Sequence, residues 1–319
     1  MSKQNRDTLI LFWSTYNTIT DINYEIWRDK DIKLTPLHIL SLYSYIKYKN
    51  KVLLYTYQNI NKHEIPYGIE IKDANKIFSS TKAYIALKNG HSIAHISDAV
   101  RLNVASELCG IVLDIDAVMI KPFPNYDGFF SSMPAKATGG FAPKWGKSHP
   151  PLYIHDKTWD GKALSCFPLK VNKKISPYIK KLSFKIMRAL LKPVKKGSKA
   201  WNYVMWELKI LAKIDIESPE LKPIYNCPLP AWMPAGKCYS LESPTRLNGG
   251  TELFGYKLPS FNEIFNMSYI IQHFFESAFQ KKKVIKGKFW SEKVTSDCLL
   301  GYEAKHILGD SWRNFLSDF

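Results

Sequence analysis

Apolar positions in the first third of the chain alternate between short unbroken runs and helical spacing. Thr8–Trp13 (TLILFW) is such a run, the pattern of a strand buried on both faces. Behind Pro36, Leu37–Tyr48 carries apolar residues at helical spacing, and proline suits a helix's first turn. Lys51–Tyr57 (KVLLYTY) predicts a second buried strand, rich in β-branched and aromatic residues. Asp73–Phe78 suits a short helix. Ile96–Leu108 predicts a longer one, with Ser97 or Asp98 at its start and Gly110 ending it. Ile111–Asp116 (IVLDID) predicts a third strand. This alternation predicts an α/β fold: a Rossmann-like, mainly parallel sheet flanked by helices.

Beyond about residue 130 the pattern loosens. Pro, Gly and Trp are scattered through Met133–Trp159, and Pro219–Pro234 reads as loop. Two helices are predicted between them. One has Ile175, Tyr178, Ile179, Leu182, Ile186 and Leu190 at helical spacing. The other, Ala200–Ile214, has an apolar face of Trp201, Val204, Met205, Leu208 and Leu211. There is no internal repeat and no clear linker. Residues 1–135 are expected to form the sheet-bearing core, and 136–319 an appended, partly helical region completing the same domain.

Composition narrows the class. Apolar residues make up 45% of the 319, enough for a core, so global disorder is excluded. No apolar run approaches the roughly 20 residues of a membrane-spanning helix. The longest candidate, Val104–Met119, is broken by Glu107, Asp114 and Asp116. The apolar stretch Leu9–Trp13 is too short for a signal peptide, so a cytoplasmic location is expected. Five widely spaced cysteines without a C-x-x-C suit free thiols in a reducing compartment.

The formal net charge is 45 − 28 = +17, which implies anionic partners. Lys170–Lys199 holds eleven Lys/Arg and no Asp or Glu, and Lys281–Lys288 adds a second basic cluster. The first block contains a basic amphipathic helix. Such a helix lies on an anionic membrane face or buries its stripe in an ordinary core. No nucleic-acid recognition signature is present, and no nucleic-acid partner is expected.

Candidate chemistry centres on Asp114 and Asp116. Two residues apart in a strand, both side chains point to one face, among Ile111, Val112, Leu113, Ile115 and Val118. Two carboxylates in such surroundings repel and lose solvation, and a divalent cation compensates. Hard oxygen ligands suit Mn²⁺ or Mg²⁺. Similar triplets at Asp29–Asp31 and Asp215–Glu217 do not end so apolar a strand.

The segment HISDAVRLNVASELCGIVLDIDAVMIKPF, His95–Phe123, resembles the core of DXD-type glycosyltransferases. That group includes bacterial α-glycosyltransferases of lipopolysaccharide and capsule synthesis and clostridial glucosylating toxins. The family pattern is S-D-x-x-R, an apolar helix, Gly-Gly, then strand-D-x-D. Ser97, Asp98, Arg101, Asp114 and Asp116 match it in register, and Cys109-Gly110 replaces Gly-Gly. Phe12–Asn17 (FWSTYN), Leu54–Tyr57 and Pro66–Gly68 also look like the bacterial branch, without the glycine that follows the tryptophan there.

The resemblance implies a GT-A fold and a UDP-sugar donor. Asp114 would contact the donor sugar and ribose, and Asp116 the metal. Asp98 and Ser97 would stand on the ribose or sugar side, with Arg101 on the sugar or phosphate side. Trp13 would stack on uracil. A late metal ligand is expected at His273, in SYIIQHFF, with Ser311-Trp312 in LGDSW as the alternative. The implied reaction moves a hexose or N-acetylhexosamine, with retention, to a lipopolysaccharide- or capsule-type glycan, lipid-linked at the inner face of the cytoplasmic membrane. A toxin-like effector that modifies a host protein, and a non-enzymatic basic binding protein, are the alternatives.

Overall fold

The computed structural model describes residues 7–14, 32, 34–134, 162–194, 221–225, 227–228, 245–246, 249–250, 252–253, 256–257, 265–266, 268–272 and 298–317. The expected helix at Ala200–Ile214, the Lys281–Lys288 cluster and His273 lie outside them.

A seven-stranded sheet organises the molecule. Its strands are β1 (Thr8–Phe12), β2 (Lys51–Thr56), β3 (Ile69–Asp73), β4 (Ile111–Val112), β6 (Gly128–Pro134), β7 (Lys162–Lys170) and β8 (Leu221–Tyr225). The spatial order is β3-β2-β1-β4-β7-β6-β8. Strands β3, β2, β1 and β4 are mutually parallel, β7 runs antiparallel between β4 and β6, and β8 is parallel to β6. A second sheet sets β5 (Ala117–Met119) antiparallel to β10 (Ile270–Gln272), which is parallel to β9 (Cys227–Pro228). Two short ladders, Thr245–Arg246 with Gly249–Gly250 and Glu252–Leu253 with Tyr256–Lys257, stand apart. The α/β, Rossmann-like class is as the alternation implies. The Pro-rich stretch read as loop instead supplies β8 and β9. Its prolines fit there because β8 is an edge strand, where a missing N–H costs least.

The helices are α1 (Pro36–Lys47), α2 (Ser80–Lys88), α3 (Ile93–Leu108), α4 (Ser176–Leu190), α5 (Leu299–Leu308) and α6 (Trp312–Ser317). They cover both faces of the sheet. Ile10, Phe12 and Val112 point into a core shared with α2, α3 and α4. Leu9, Leu11, Ile111 and Leu113 point the other way, toward α1 and β5. Period-2 alternation thus divides the strands between two apolar layers.

Helix α3 starts three residues before the expected Ile96. Ser92 is its cap: the Ser92 hydroxyl accepts from the His95 N–H and His95 Nδ1 accepts from the Ser92 N–H, both at 3.4 Å. Ser97 and Asp98 are therefore interior residues. Thr35 and His38 repeat the device on α1, at 3.4 and 3.2 Å. This is a capping box with histidine where Glu or Gln is usual.

The end of α3 also differs from expectation. Cys109, not Gly110, takes the left-handed conformation, at φ 49°. Gly110 is needed for space: a Cβ there would lie 2.6 Å from Ile10 Cδ1 and 2.9 Å from the Thr8 carbonyl oxygen. A backbone oxygen in a paired strand cannot give way, so this closeness of helix end to β1 requires glycine.

The basic helix α4 buries its apolar stripe in the core rather than offering it to a membrane. Ile179, Leu182, Ile186 and Leu190 are buried in the core shared with α3, while Lys181, Phe184, Lys185 and Arg188 face outward. No described helix is long and apolar enough to cross a membrane.

Candidate active site at the switch point of the sheet

The order β2-β1-β4 reverses the direction of winding between β1 and β4. In open α/β sheets, ligands bind outside the carboxyl ends of the strands at such a point. Trp13 follows β1 there, and Leu113–Asp116 follows β4. The two parallel chains stay in register one residue beyond the ladder, with the Leu113 N–H donating to the Ile10 carbonyl at 3.2 Å.

Asp114 and Asp116 do not share a strand. Pairing in β4 stops at Val112 and resumes in β5 at Ala117, so both carboxylates stand in a turn between two sheets. Contrary to the strand expectation, strand alternation therefore does not set them on one face. Asp114 continues the alternation of β4 toward α3, and its side chain is about one-third exposed (32%).

Arg101 receives it. From the middle of α3, Arg101 Nη1 donates to Asp114 Oδ1 at 2.5 Å and to the Leu113 carbonyl at 2.8 Å. Its Nη2 donates to Asp98 Oδ1 at 2.7 Å, one helical turn away. The guanidinium carbon lies 4.4 Å from the Phe167 ring centroid, a cation–π contact from β7. Arg101 is 3% exposed and Asp98 7%. This is a triad of two carboxylates around one cation, with Arg101 and Asp98 buried and Asp114 reaching solvent. Burial pushes the Asp98 carboxyl up to about 6, and the Asp114 charge adds to the push while Arg101 resists it. Burial opposes the Arg101 charge too, but Asp114 and Asp98 together overcome it and hold the guanidinium above its ordinary value.

From the opposite layer, α1 grips the same turn. Tyr45 is fully buried, and its hydroxyl lies within hydrogen-bond reach of the Asp114 carbonyl, at 2.8 Å, and of the Ala117 carbonyl. Ser44 Oγ accepts from the Met119 N–H at 2.9 Å. Nothing in the sequence marks Tyr45 or Ser44: they reach the turn only through the packing of α1.

Trp13 lies with its ring centroid 4.1 Å from that of His38, the planes tilted by 55°. Its indole N–H is buried and has no hydrogen-bond partner among the described residues. Ser97 is buried in α3. Ser311 donates to the Leu308 carbonyl at 2.8 Å, and Trp312 is buried. Among the described residues no group of three or more His, Cys, Asp or Glu is placed to hold a metal ion. The structure thus brings Asp98, Arg101 and Asp114 into direct contact, with Asp116 two residues on.

No protein-family model matches the chain, and no curated protein matches it. Among solved structures it is similar to "PaToxG Glycosyltransferase", at 16% identity and a TM-score of 0.33, over 68% of this chain and 80% of that chain.

Proposed function

We propose that the protein is a metal-dependent glycosyltransferase of GT-A type. It would move a hexose or N-acetylhexosamine from a UDP-sugar, with retention, to a lipopolysaccharide- or capsule-type glycan. The observation that carries this reading is the Asp98–Arg101–Asp114 triad at the carboxyl ends of β1 and β4. It stands where an α/β sheet receives a nucleotide, on the residues that match the S-D-x-x-R and D-x-D elements.

In this reading Asp114 meets the donor sugar and ribose, Trp13 lines the donor side, and the buried Ser97 and Asp98 stand behind them on α3. Arg101 neutralises the two carboxylates beside it and keeps Asp114 aimed outward. Asp116, a partly exposed hard-oxygen donor, fits Mn²⁺ or Mg²⁺. His273 is the proposed second protein ligand. It follows β10 in sequence, and the last pair of that strand sets Gln272 opposite Ala117, next to Asp116. Asp116 and His273 would hold the cation, whose chemistry would be to offset the negative charge that builds on the leaving diphosphate. Asp114 orients the sugar so that the acceptor oxygen attacks from the face the nucleotide leaves.

The test is UDP-sugar hydrolysis with and without Mn²⁺. Asp116→Ala should lose about 10²–10³-fold in turnover, the scale of removing one charge-stabilising group. Equal, metal-independent activity in wild type and variant would sink the proposal. An acceptor screen with glycans and host proteins separates it from a toxin-like effector, and calorimetry with UDP-sugars from a non-enzymatic protein.

Membrane association at the inner face of the cytoplasmic membrane belongs to the same proposal, with one change. The apolar stripe of α4 is spent on the core, so its outer face of Lys181, Lys185 and Arg188 around Phe184 would meet anionic lipid. Each basic residue there contributes about 1 kcal/mol. Sedimentation with anionic vesicles should retain wild type and lose the Lys181→Glu, Lys185→Glu, Arg188→Glu triple variant. Equal retention of both would exclude this face.

A further inference from the structure

The backbone between β4 and β5 lies outside the ladders of either sheet. From Leu113 to Ala117, the first residue of β5, three carbonyls are held by side chains from two helices on opposite layers. Arg101 of α3 takes the Leu113 oxygen. Tyr45 of α1 lies between the oxygens of Asp114 and Ala117, the residues that bracket Ile115 and Asp116. We propose that Tyr45 is a positioning residue for the D-x-D turn, its hydroxyl sharing one proton between the carbonyls that flank Ile115 and Asp116. The inference rests on the glycosyl-transfer reading and adds to it a residue outside the matched motif.

Three observations support it. The phenol is a committed donor, because it is fully buried and both backbone groups it faces are carbonyl oxygens, which only accept. It is also anchored at its own backbone, because Asn50 Nδ2 donates to the Tyr45 carbonyl at 3.0 Å and lies 3.5 Å from Met119 Sδ. Third, α1 holds β5 again one residue earlier, through Ser44 and the Met119 N–H. Tyr45 therefore ties Asp116 to a helix that is itself tied to the strand beyond it. A displacement of about 1 Å at a reacting group is enough to cost about 10²-fold in rate.

Tyr45→Phe removes one oxygen and keeps the ring. In this variant kcat for metal-dependent UDP-sugar turnover should fall about 10–100-fold, with KM for the donor within about threefold. The Mn²⁺ concentration giving half-maximal activity should rise, and so should the Mn²⁺ dissociation constant in calorimetry with UDP. Ser106→Ala is the comparison. It removes a buried hydroxyl of α3, one that donates to the Asn103 carbonyl at 2.6 Å within the helix, and it should lower thermal stability while leaving turnover unchanged. All rates are taken per folded molecule from thermal melts. If Tyr45→Phe melts lower but keeps kcat and Mn²⁺ affinity, Tyr45 is structural only and the proposal is overturned. A wild type with no metal-dependent UDP-sugar affinity overturns the glycosyl-transfer reading and the purpose of the clamp with it. An active wild type beside an equally active Tyr45→Phe overturns the clamp alone.

Discussion

Arg101→Ala is expected to cost about 3–5 kcal/mol of stability, because it breaks a buried ionic cluster by removing one partner. For a chain of this length that lowers the melting temperature by about 6 °C. The cost falls unequally on what remains. Asp114, one-third exposed, regains water. Asp98 cannot, and the Leu113 carbonyl loses its donor. Arg101→Lys should recover only part of the loss. One ammonium on a flexible stem does not reproduce a fork that reaches two carboxylates and a carbonyl. Asp98→Asn with Arg101→Met should recover more, since it removes the buried charge together with its partner. Urea unfolding at pH 7 measures all three. A loss below 1 kcal/mol in Arg101→Ala would mean the triad contributes little to holding α3 against β4.

The second large effect is acid sensitivity with a source in the helix caps. His38 and His95 each accept a backbone N–H at Nδ1, which requires the neutral ring with its proton on Nε2. Burial lowers His38 to about 3. Burial, assisted by the nearby His91, lowers His95 to about 4. Both folded-state values lie below the ordinary 6.5. Their stabilisation is therefore complete above pH 6.5 and is lost as the pH falls, because the unfolded chain takes up protons first. Each costs about 1.4 kcal/mol per pH unit in that window. Asp98 acts in the opposite direction. Its raised value of about 6 makes the folded state the better proton acceptor between pH 6 and about 4. Two histidines against one carboxyl leave a net loss of about 4 kcal/mol between pH 6.5 and pH 4. His95→Gln keeps a capping box without a titrating group. It should flatten the stability profile by about 1.4 kcal/mol per pH unit above pH 4. An unchanged slope in urea melts at pH 7, 5.5 and 4.5 would refute the assignment.

What could be read from sequence follows the range of the forces involved. The runs at Thr8–Trp13 and Lys51–Tyr57 and the spacing in Leu37–Tyr48 are local patterns, and the sheet and α1 follow from them. The start of α3 escaped because its cap pairs Ser92 with a histidine, and the usual signature is Glu or Gln. IVLDID reads as one strand because four of its six residues are apolar and three of those are β-branched. The strand ends after Val112 because two helices bind the next carbonyls by side chains, which no window around Asp114 contains. Asp98, Arg101 and Asp114 were legible as a register, and their contact is its three-dimensional form. Tyr45 was invisible, since it looks like any other aromatic on a buried helix face.

The turn at Asp114–Asp116 also joins two sheets assembled from very different stretches of chain. Strand β4 pairs with β1 and β7, whereas β5 pairs with β10, far downstream. On a ribosome adding about 5–20 residues per second, the main parallel strands emerge on the order of ten seconds before Ile270–Gln272. Through that interval the edge of β5 that β10 covers stays unpaired, the kind of surface on which nascent chains aggregate. A translation pause between β5 and β10 would prolong that exposure, so the yield of folded protein should depend on how quickly the ribosome crosses the intervening sequence.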